Sequence, residues 1–303
     1  MNSYLKTLTT GFGLLLVSFT IFAQNNDSDS TGVPGDNFDL QGALEMFKKA
    51  GSPEEFEKMI NTESNNVNNL DLNGDGEIDY VKVIDKMDKD VHAFVLQVPV
   101  SETESQDIAV IELEKTGDES AMIQIVGDEE IYGEQVIVEP DSDGDNALIN
   151  GWNQGNISGP AASLEPNKGI IVNVWLWPSV RFVYAPLYRP WISPWRWRHY
   201  PIWWRPWRPF AWHVWHPRCV VYHRAFVIVP THRVVRAHKV YYPYRTTSVT
   251  VRTRHATAIG NYRVTRTRTT VTGPRGRKAT KTTTTVTGKR GKVKATKTKV
   301  RRH

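Results

Sequence analysis

The chain has 303 residues, which is long enough for one or two domains with hydrophobic cores. All 32 acidic residues precede position 166, but only 8 of the 38 basic residues do, so residues 1–165 carry a net charge of −24 and residues 166–303 carry +30. This segregation excludes a single domain with an evenly mixed surface and indicates an anionic partner for the basic half. The single cysteine excludes both an intrachain disulfide framework and zinc modules with four cysteine ligands.

The chain begins with the pattern of a secretory signal peptide. Residues 11–23 are almost wholly apolar, follow the positive charge of Lys6 and end on the small residue Ala23. The run is too short to cross the ~30 Å hydrocarbon layer of a bilayer, so it predicts a cleaved signal over residues 1–23 rather than a membrane span. The alternative is a buried N-terminal helix. We expect the chain to be exported to the periplasm, the outer surface or the extracellular space, with no transmembrane segment.

Two short helices are predicted next. Residues 24–36 are polar and rich in turn formers, which is typical of a disordered segment. The spacing of Leu40, Leu44 and Phe47 predicts an amphipathic helix that ends at Gly51. A second helix is predicted to begin at Pro53. It has a Ser52 cap and Glu55 for a capping box, and its apolar face consists of Phe56, Met59 and Ile60.

A β pattern follows between Ile78 and Val138. Apolar and polar residues alternate in runs that predict strands over 78–85, 91–100, 108–115, 121–126 and 135–139. Short polar connections indicate an antiparallel meander, and the two helices can cover one of its faces. The predicted fold class is therefore α+β, with an acidic domain over residues 37–140. Residues 141–168 are predicted to be a linker, and its run Asp141-Ser-Asp143-Gly-Asp145 is interpreted as solvated chain, with a weak ion site as the alternative.

The basic half divides into a region over residues 169–244 and a tail over 245–303. Ten of the eleven tryptophans lie between Trp175 and Trp215, interleaved with proline and arginine. Because proline disfavours helix and central strand alike, we expect extended backbone there, followed by short strands in the apolar runs of 219–244. The tail is a low-complexity sequence of threonine, lysine and arginine, and its like charge predicts disorder past about residue 273.

The sharpest motif is an acidic run of nine residues, Asp-Leu-Asn-Gly-Asp-Gly-Glu-Ile-Asp. Its oxygen-bearing groups at alternate positions converge on one point when the backbone coils, and Ile78 is left to pack into the core. The candidate ligands are Asp71, Asn73, Asp75, Asp79 and the carbonyl oxygen of Glu77. Hard oxygen donors of this kind suit calcium, which takes six to eight ligands. The alternative is a turn rich in Asp and Asn that enters a strand and binds no metal.

This DxNxDGxxD pattern resembles the calcium loops of EF-hands and dockerins over its nine positions. It departs at the twelfth position, where those families place an acid and this chain has Lys82. It is also similar to the loops of FG-GAP repeats, which lead directly into a strand but occur in several copies. The resemblance covers about 15 residues, implies a calcium site of modest affinity and carries neither fold with it. As a whole, the chain resembles a bacterial secreted protein.

Tryptophan beside arginine suggests contact with an anionic surface, because guanidinium binds phosphate and indole prefers bilayer interfaces. We expect seven residues to make this contact: Arg196, Arg198, Trp203, Trp204, Arg205, Trp207 and Arg208. Candidate partners are lipopolysaccharide, acidic polysaccharide, other anionic polymers and lipid headgroups, with nucleic acid less favoured for an exported protein. The acidic half of the same chain is a further candidate. The alternatives are a compact second domain with tryptophan in its core, and a biased composition that serves no partner.

A second metal site is compatible with one spacing in the basic half. His213, His216, Cys219 and His223 could bind zinc or copper. The surrounding positive charge favours the alternative, in which the histidines belong to a basic aromatic surface without an ion.

The sequence offers little support for catalysis. The basic half has no carboxylate, the acidic half has one histidine, His92, and no phosphate loop, nucleophile elbow or His-Glu metal motif occurs. We therefore predict an exported, non-enzymatic, calcium-binding envelope or surface protein whose basic half binds anionic polymers or membrane surfaces. The alternative is a secreted hydrolase with an unrecognised active site, in which His92 and carboxylates would meet in a pocket.

Overall fold

A computed structural model describes most of the chain. The described ranges are 30–141, 171–265, 268–272, 278–287 and 293–302, with side chains described over 30–141 and 171–262. The predicted signal peptide and nearly all of the predicted linker, including most of its short acidic run, lie outside the described residues. The prediction of disorder over residues 24–36 is wrong for its described part, because Pro34–Asn37 form a 3-10 helix with buried residues.

A six-stranded antiparallel sheet forms the centre of the fold and confirms the α+β class. Its strands follow chain order across the sheet. They are β1 (Lys82–Asp88), β2 (Val91–Pro99), β3 (Ser105–Gly117), β4 (Ser120–Gly127), β5 (Val136–Pro140) and β6 (Phe226–Val229). The first five match the predicted meander closely. The first strand begins at Lys82 rather than at Ile78, because the preceding N–H groups donate outside the sheet, Ile78 to Trp207 O (2.8 Å) and Asp79 to Leu70 O (2.8 Å).

The two predicted helices are present and cover one face of the sheet. They are α1 (Leu40–Lys49) and α2 (Pro53–Ile60). Ser52 Oγ accepts a hydrogen bond from the Glu55 N–H (3.1 Å), while Glu55 Oε2 accepts one from the Gly51 N–H (2.7 Å) rather than from that of Ser52. Apolar residues of both helices pack with the strand residues on this face, among them Phe47, Phe56, Phe94 and Ile111.

The opposite face of the sheet is covered by the basic half of the chain. Strand β6 pairs with β5, with Val229 opposite Ile137. Helix α6 (Val235–Tyr241) lies across the face, where Tyr241 joins the buried side chains of Val95 and Val110. The acidic and basic halves therefore share one sheet and one core.

The region 169–244 contains more helix than predicted. Besides β6 and α6, it forms α4 (Pro178–Val183) and α5 (Trp212–Cys219), while α3 (Glu129–Tyr132) lies earlier, between β4 and β5. Of the three apolar runs expected to be strands, only the one at 226–229 is a strand. The other two lie in a 3-10 helix at Val220–Arg224 and in α6. The proline-rich stretch between α4 and α5 has no regular helix or strand, as predicted.

The tail contains regular structure, including two strands past residue 273, where disorder was predicted. Helix α7 (Val249–Thr265) precedes three strands, β7 (Arg268–Thr272), β8 (Lys278–Thr287) and β9 (Val293–Arg302), which form a separate antiparallel sheet. Threonine and valine dominate these strands, and their β-branched side chains favour extended backbone. This β propensity outweighs the like charge that predicted disorder in the last two strands.

Phe47 provides a test of the core. It is fully buried in α1, with ring centroids 5.3 Å from Phe56 and 5.0 Å from Phe94. We expect Phe47→Ala to lower the free energy of unfolding by about 3–5 kcal/mol, because it leaves a cavity between the helices and the sheet. The control is Phe182→Ala, at a largely exposed position, which should cost less than about 1 kcal/mol. Urea unfolding followed by circular dichroism measures both, and equal losses would contradict this packing.

Candidate functional site

The acidic loop, residues 71–79, lies just before β1. Its side chains accept hydrogen bonds from its own backbone and fix its conformation. Asp71 Oδ1 accepts hydrogen bonds from the N–H groups of Gly74 (2.6 Å) and Asp75 (3.1 Å), and Asp71 Oδ2 accepts one from Gly76 (2.9 Å). Gly74 and Gly76 have φ values of 73° and 84°. Because side chains disfavour this left-handed region, glycine at both positions permits the coil that the motif requires.

The remaining predicted ligands face a common region of this coil. Asn73 Nδ2 donates to Asp75 Oδ2 (3.0 Å) and to Asp79 Oδ1 (3.3 Å), so one donor group stands between two carboxylates. Asp79 Oδ2 accepts from the Leu72 N–H (2.6 Å), which fixes the buried Asp79 at the base of the loop. Glu77 is exposed at the rim. The three carboxylates do not all come within 4.8 Å of one another among the described side chains.

The electrostatics of the loop are unfavourable for ionised carboxylates. Burial first, and the negative charges of Asp71 and Asp75 in addition, together raise the pKa of Asp79 to about 7. Ile78 is buried, as the sequence predicted. The loop thus contains concentrated negative charge directly above the core.

The tryptophan-rich segment, which is the proline-rich stretch between α4 and α5, is hydrogen-bonded to this loop and to Asn69 just before it. The Ile78 N–H donates to Trp207 O (2.8 Å), and the Asn69 side chain exchanges hydrogen bonds with the N–H and the carbonyl of Phe210 (2.8 and 3.0 Å). Tyr80, which follows the loop, packs on Trp204 with a centroid distance of 5.1 Å. The loop and the segment are therefore in direct contact.

Arg254 of α7 also lies against the loop, which sequence reasoning missed. A Cβ atom added to Gly74 would lie 2.1 Å from its guanidinium. The neighbouring His255 lies near the same loop, with Nε2 3.4 Å from Leu72 O. A contact between residues 180 positions apart leaves no local pattern in the sequence.

The structure separates the seven residues expected to bind an anionic partner. Four are exposed arginines without an ion pair among the described side chains: Arg196, Arg198, Arg205 and Arg208. Trp203 is 46% exposed and Trp207 is half-buried, whereas Trp204 is only 2% exposed. Trp204 packs edge-on against Tyr80 and Tyr200, so its assignment as a contact residue is corrected to a core position.

Exposed aliphatic side chains accompany these arginines. Leu187 is 93% exposed and Ile202 is 92% exposed, and Ile192 also faces solvent. Prolines at 190, 194, 201, 206 and 209 keep the segment irregular, so these side chains have no regular face to pack on. The sequence pattern of tryptophan and arginine did not point to Leu187 or Ile202.

Other basic residues are paired with the acidic half. Arg233 pairs with Glu139, Arg236 with Glu114 and Asp90, Arg245 with Asp128, and Arg252 with Glu130. These four arginines are thus paired within the chain, in contrast to the four exposed arginines of the proline-rich segment.

The histidines and cysteine with metal-like spacing do not form a compact group. His213, His216, Cys219 and His223 do not bring three ligand atoms within 4.8 Å among the described side chains. Cys219 Sγ is buried and lies 3.4 Å from Asn66 O, and burial raises the pKa of this thiol well above its usual value. A metal needs the thiolate, which this environment disfavours.

His92 is enclosed in a buried network rather than in a pocket. Its Nδ1 lies 2.9 Å from Asp85 Oδ2, and the Tyr188 hydroxyl donates to the same oxygen (2.7 Å). Tyr184 packs edge-on against the imidazole. His92 and Asp85 are both buried, so a substrate has no access to this pair in this arrangement.

No helix within the described ranges combines the length and the apolar character needed to cross a bilayer. Comparisons with protein-family models, curated proteins and solved structures found no match to this chain.

The raised pKa of Asp79 predicts a dependence of stability on pH. The ordinary pKa of Asp in an unfolded chain is about 3.9, so between about pH 4 and pH 7 the folded protein binds more protons than the unfolded protein. When a chelator keeps the loop free of calcium, ionisation of Asp79 should therefore lower the free energy of unfolding as pH rises through this range. Asp79→Asn keeps an acceptor for the Leu72 N–H and should remove this component of the slope.

Urea unfolding at intervals across this pH range measures the effect. Asp118→Asn, at an exposed position outside the loop, is the control and should leave the slope unchanged. Identical slopes for wild type and Asp79→Asn would contradict the electrostatic description of the loop.

Proposed function

We propose that this chain is an exported, non-enzymatic protein that binds one calcium ion in the loop 71–79 and attaches to an anionic lipid surface through residues 187–208. The observation that carries the proposal is the direct attachment of the tryptophan-rich segment to the acidic loop, by the bond from the Ile78 N–H to Trp207 O. Export rests on the signal-like pattern of residues 1–23.

The donor set of the loop supports calcium as its ion. The side chains offer only oxygens, from three carboxylates and an amide, with the carbonyl of Glu77 as a further donor. Asn73 Nδ2 already bridges Asp75 and Asp79, and a dication between the carboxylates would neutralise the repulsion that acts on Asp79. Lys82 in β1 supplies no twelfth-position acid, so we expect a Kd of about 10⁻⁴–10⁻³ M, typical of extracellular modules.

The exposed side chains of the segment support a lipid surface over a polysaccharide. Arginine forms bidentate contacts with phosphate, which both a lipid headgroup and lipopolysaccharide provide. Leu187, Ile202 and Trp203 gain most from contact with an apolar layer, which a hydrated polysaccharide lacks. The four unpaired arginines and these apolar residues therefore fit the boundary between headgroups and acyl chains.

Calcium titration tests the first part of the proposal. Isothermal titration calorimetry of the chain from Gln24 onward should give one site with a millimolar or submillimolar Kd. Asp71→Ala and Asp75→Ala should each lower the affinity more than tenfold, because each removes a charged ligand. Asp118→Ala removes the same charge outside the loop and should leave binding unchanged. Absence of calcium binding at millimolar calcium would contradict the proposed calcium site.

Vesicle co-sedimentation tests the second part. The full chain should bind vesicles of phosphatidylglycerol and phosphatidylcholine more strongly than vesicles of phosphatidylcholine alone. Arg208→Gln should lower binding about fivefold at low salt, since a basic residue near an anionic surface contributes about 1 kcal/mol. Trp203→Ala should lower binding at both low and high salt, because salt does not screen the hydrophobic contribution of a buried indole.

The charge-matched control for this experiment is Arg252→Gln. Arg252 is exposed but paired with Glu130, so its substitution should change binding much less than Arg208→Gln does. Equal effects of the two substitutions, or no binding of the full chain at low salt, would contradict the proposed surface.

A further inference from the structure

We propose that Glu112, His232 and His238 form a binding site for a divalent transition metal of the zinc class. These residues lie outside the acidic loop and outside the histidine–cysteine run that the sequence singled out. Their ligand atoms all lie within 4.8 Å of one another, which no other group of three or more His, Cys, Asp or Glu side chains achieves among the described residues.

The three side chains meet where the basic half covers the sheet. Glu112 lies in β3 on the face turned towards α6 and is fully buried. His238 lies in α6, and His232 lies in the connection between β6 and α6. Because residues 232 and 238 approach one carboxylate from both sides, the group joins two parts of the chain that are more than 100 residues apart.

The geometry fits a shared ion. His238 Nδ1 lies 2.8 Å from Glu112 Oε1, and His232 Nε2 contacts Glu112 Oε2. The two imidazole rings have centroids 4.6 Å apart and are nearly perpendicular. Zinc binds imidazole nitrogen and carboxylate oxygen at about 2.0–2.2 Å, so two ligand atoms of one ion lie up to about 4 Å apart. Small rotations of these side chains are sufficient to place an ion between them.

The backbone around the site is fixed before any ion binds. Gln124 Oε1 accepts hydrogen bonds from the N–H groups of Arg233 (2.7 Å) and Val234 (3.2 Å). Glu114 Oε1 accepts from the N–H groups of Arg236 (2.6 Å) and Ala237 (3.0 Å). These bonds hold residues 233–237 against the sheet and so position both histidines. Such preorganisation favours metal binding, because little chain entropy is lost.

The neighbouring positive charges do not oppose a cation, because they are already paired. Arg233 pairs with Glu139, and Arg236 pairs with Glu114 and Asp90. By contrast, Glu112 is a buried carboxylate whose only ion-pair partners among the described residues are the two histidines. A dication on this group would neutralise the carboxylate without requiring the imidazoles to be protonated.

The ligand types select the class of metal. Two imidazoles and one carboxylate are a common set for zinc, and nitrogen donors disfavour calcium and magnesium. The side chains of His232 and His238 are 20% and 26% exposed, so an ion can enter from solvent and a water molecule can complete its coordination. The expected site is four-coordinate, with three protein ligands and one water.

Zinc titration of the full chain, after removal of metal with a chelator, tests the proposal. We expect one site per chain that zinc occupies and calcium does not, and a rise in melting temperature with zinc. Co²⁺ serves as a spectroscopic probe and should give the visible absorption of a four-coordinate site. His232→Gln and His238→Gln should each lower zinc affinity about 100-fold, since each removes one of three ligands.

His223→Gln is the matched control, because His223 is another partly buried histidine that contacts a carboxylate, Asp39. It should leave zinc affinity and the cobalt spectrum unchanged. The test does not depend on Glu112→Gln, which changes a fully buried ligand and can prevent folding. The two histidine variants, at partly exposed positions, decide the question by themselves. The proposal is overturned if zinc does not bind, or if zinc binds equally well to wild type and to both histidine variants.

Discussion

The fold depends on how the carboxylates on the second face of the sheet are neutralised. Asp107, Glu112 and Glu114 are all buried under the basic half. A buried carboxylate costs several kcal/mol unless hydrogen bonds or opposite charges compensate it. Residues 231–248 supply both. Backbone N–H groups donate to Glu114, two histidines contact Glu112, and the Thr246 N–H donates to Asp107 (2.8 Å). The acidic half therefore cannot bury this face without the basic half.

This constraint divides the positive charge into two populations. Arg233, Arg236, Arg245 and Arg252 form ion pairs with the acidic half, and these pairs neutralise their charge within the chain. The arginines of the proline-rich segment lack such pairs among the described side chains, and exposed aliphatic residues accompany them. These eight arginines are therefore in two different settings, internal ion pairs and an exposed segment, which total charge alone does not distinguish.

The features that were predicted correctly are those encoded by local patterns. Alternation over 91–100 and the spacing of Leu40, Leu44 and Phe47 determine their elements because neighbouring residues carry the whole signal. The placement of β6, the covering of the sheet by α6 and the burial of Trp204 depend on contacts between residues more than 80 positions apart. Glu112 illustrates the difference: its strand was predicted, but nothing near it in sequence indicates that His232 and His238 will reach it.

The two proposed ions would act on separate attachments between the halves of the chain. Calcium in the loop would stabilise the base on which residues 207–210 are bonded, whereas zinc at Glu112 would stabilise the contact of α6 with β3. An ion that binds only the folded arrangement stabilises it by an amount that grows with the logarithm of its concentration above Kd. A site of millimolar affinity responds to calcium outside the cell, where that ion is abundant, and a tighter transition-metal site responds at far lower concentrations. The calcium loop would then hold the exposed arginine and aliphatic surface rigid. Helix α6 would hold the internal ion pairs in place, so each ion would stabilise a different part of the basic half.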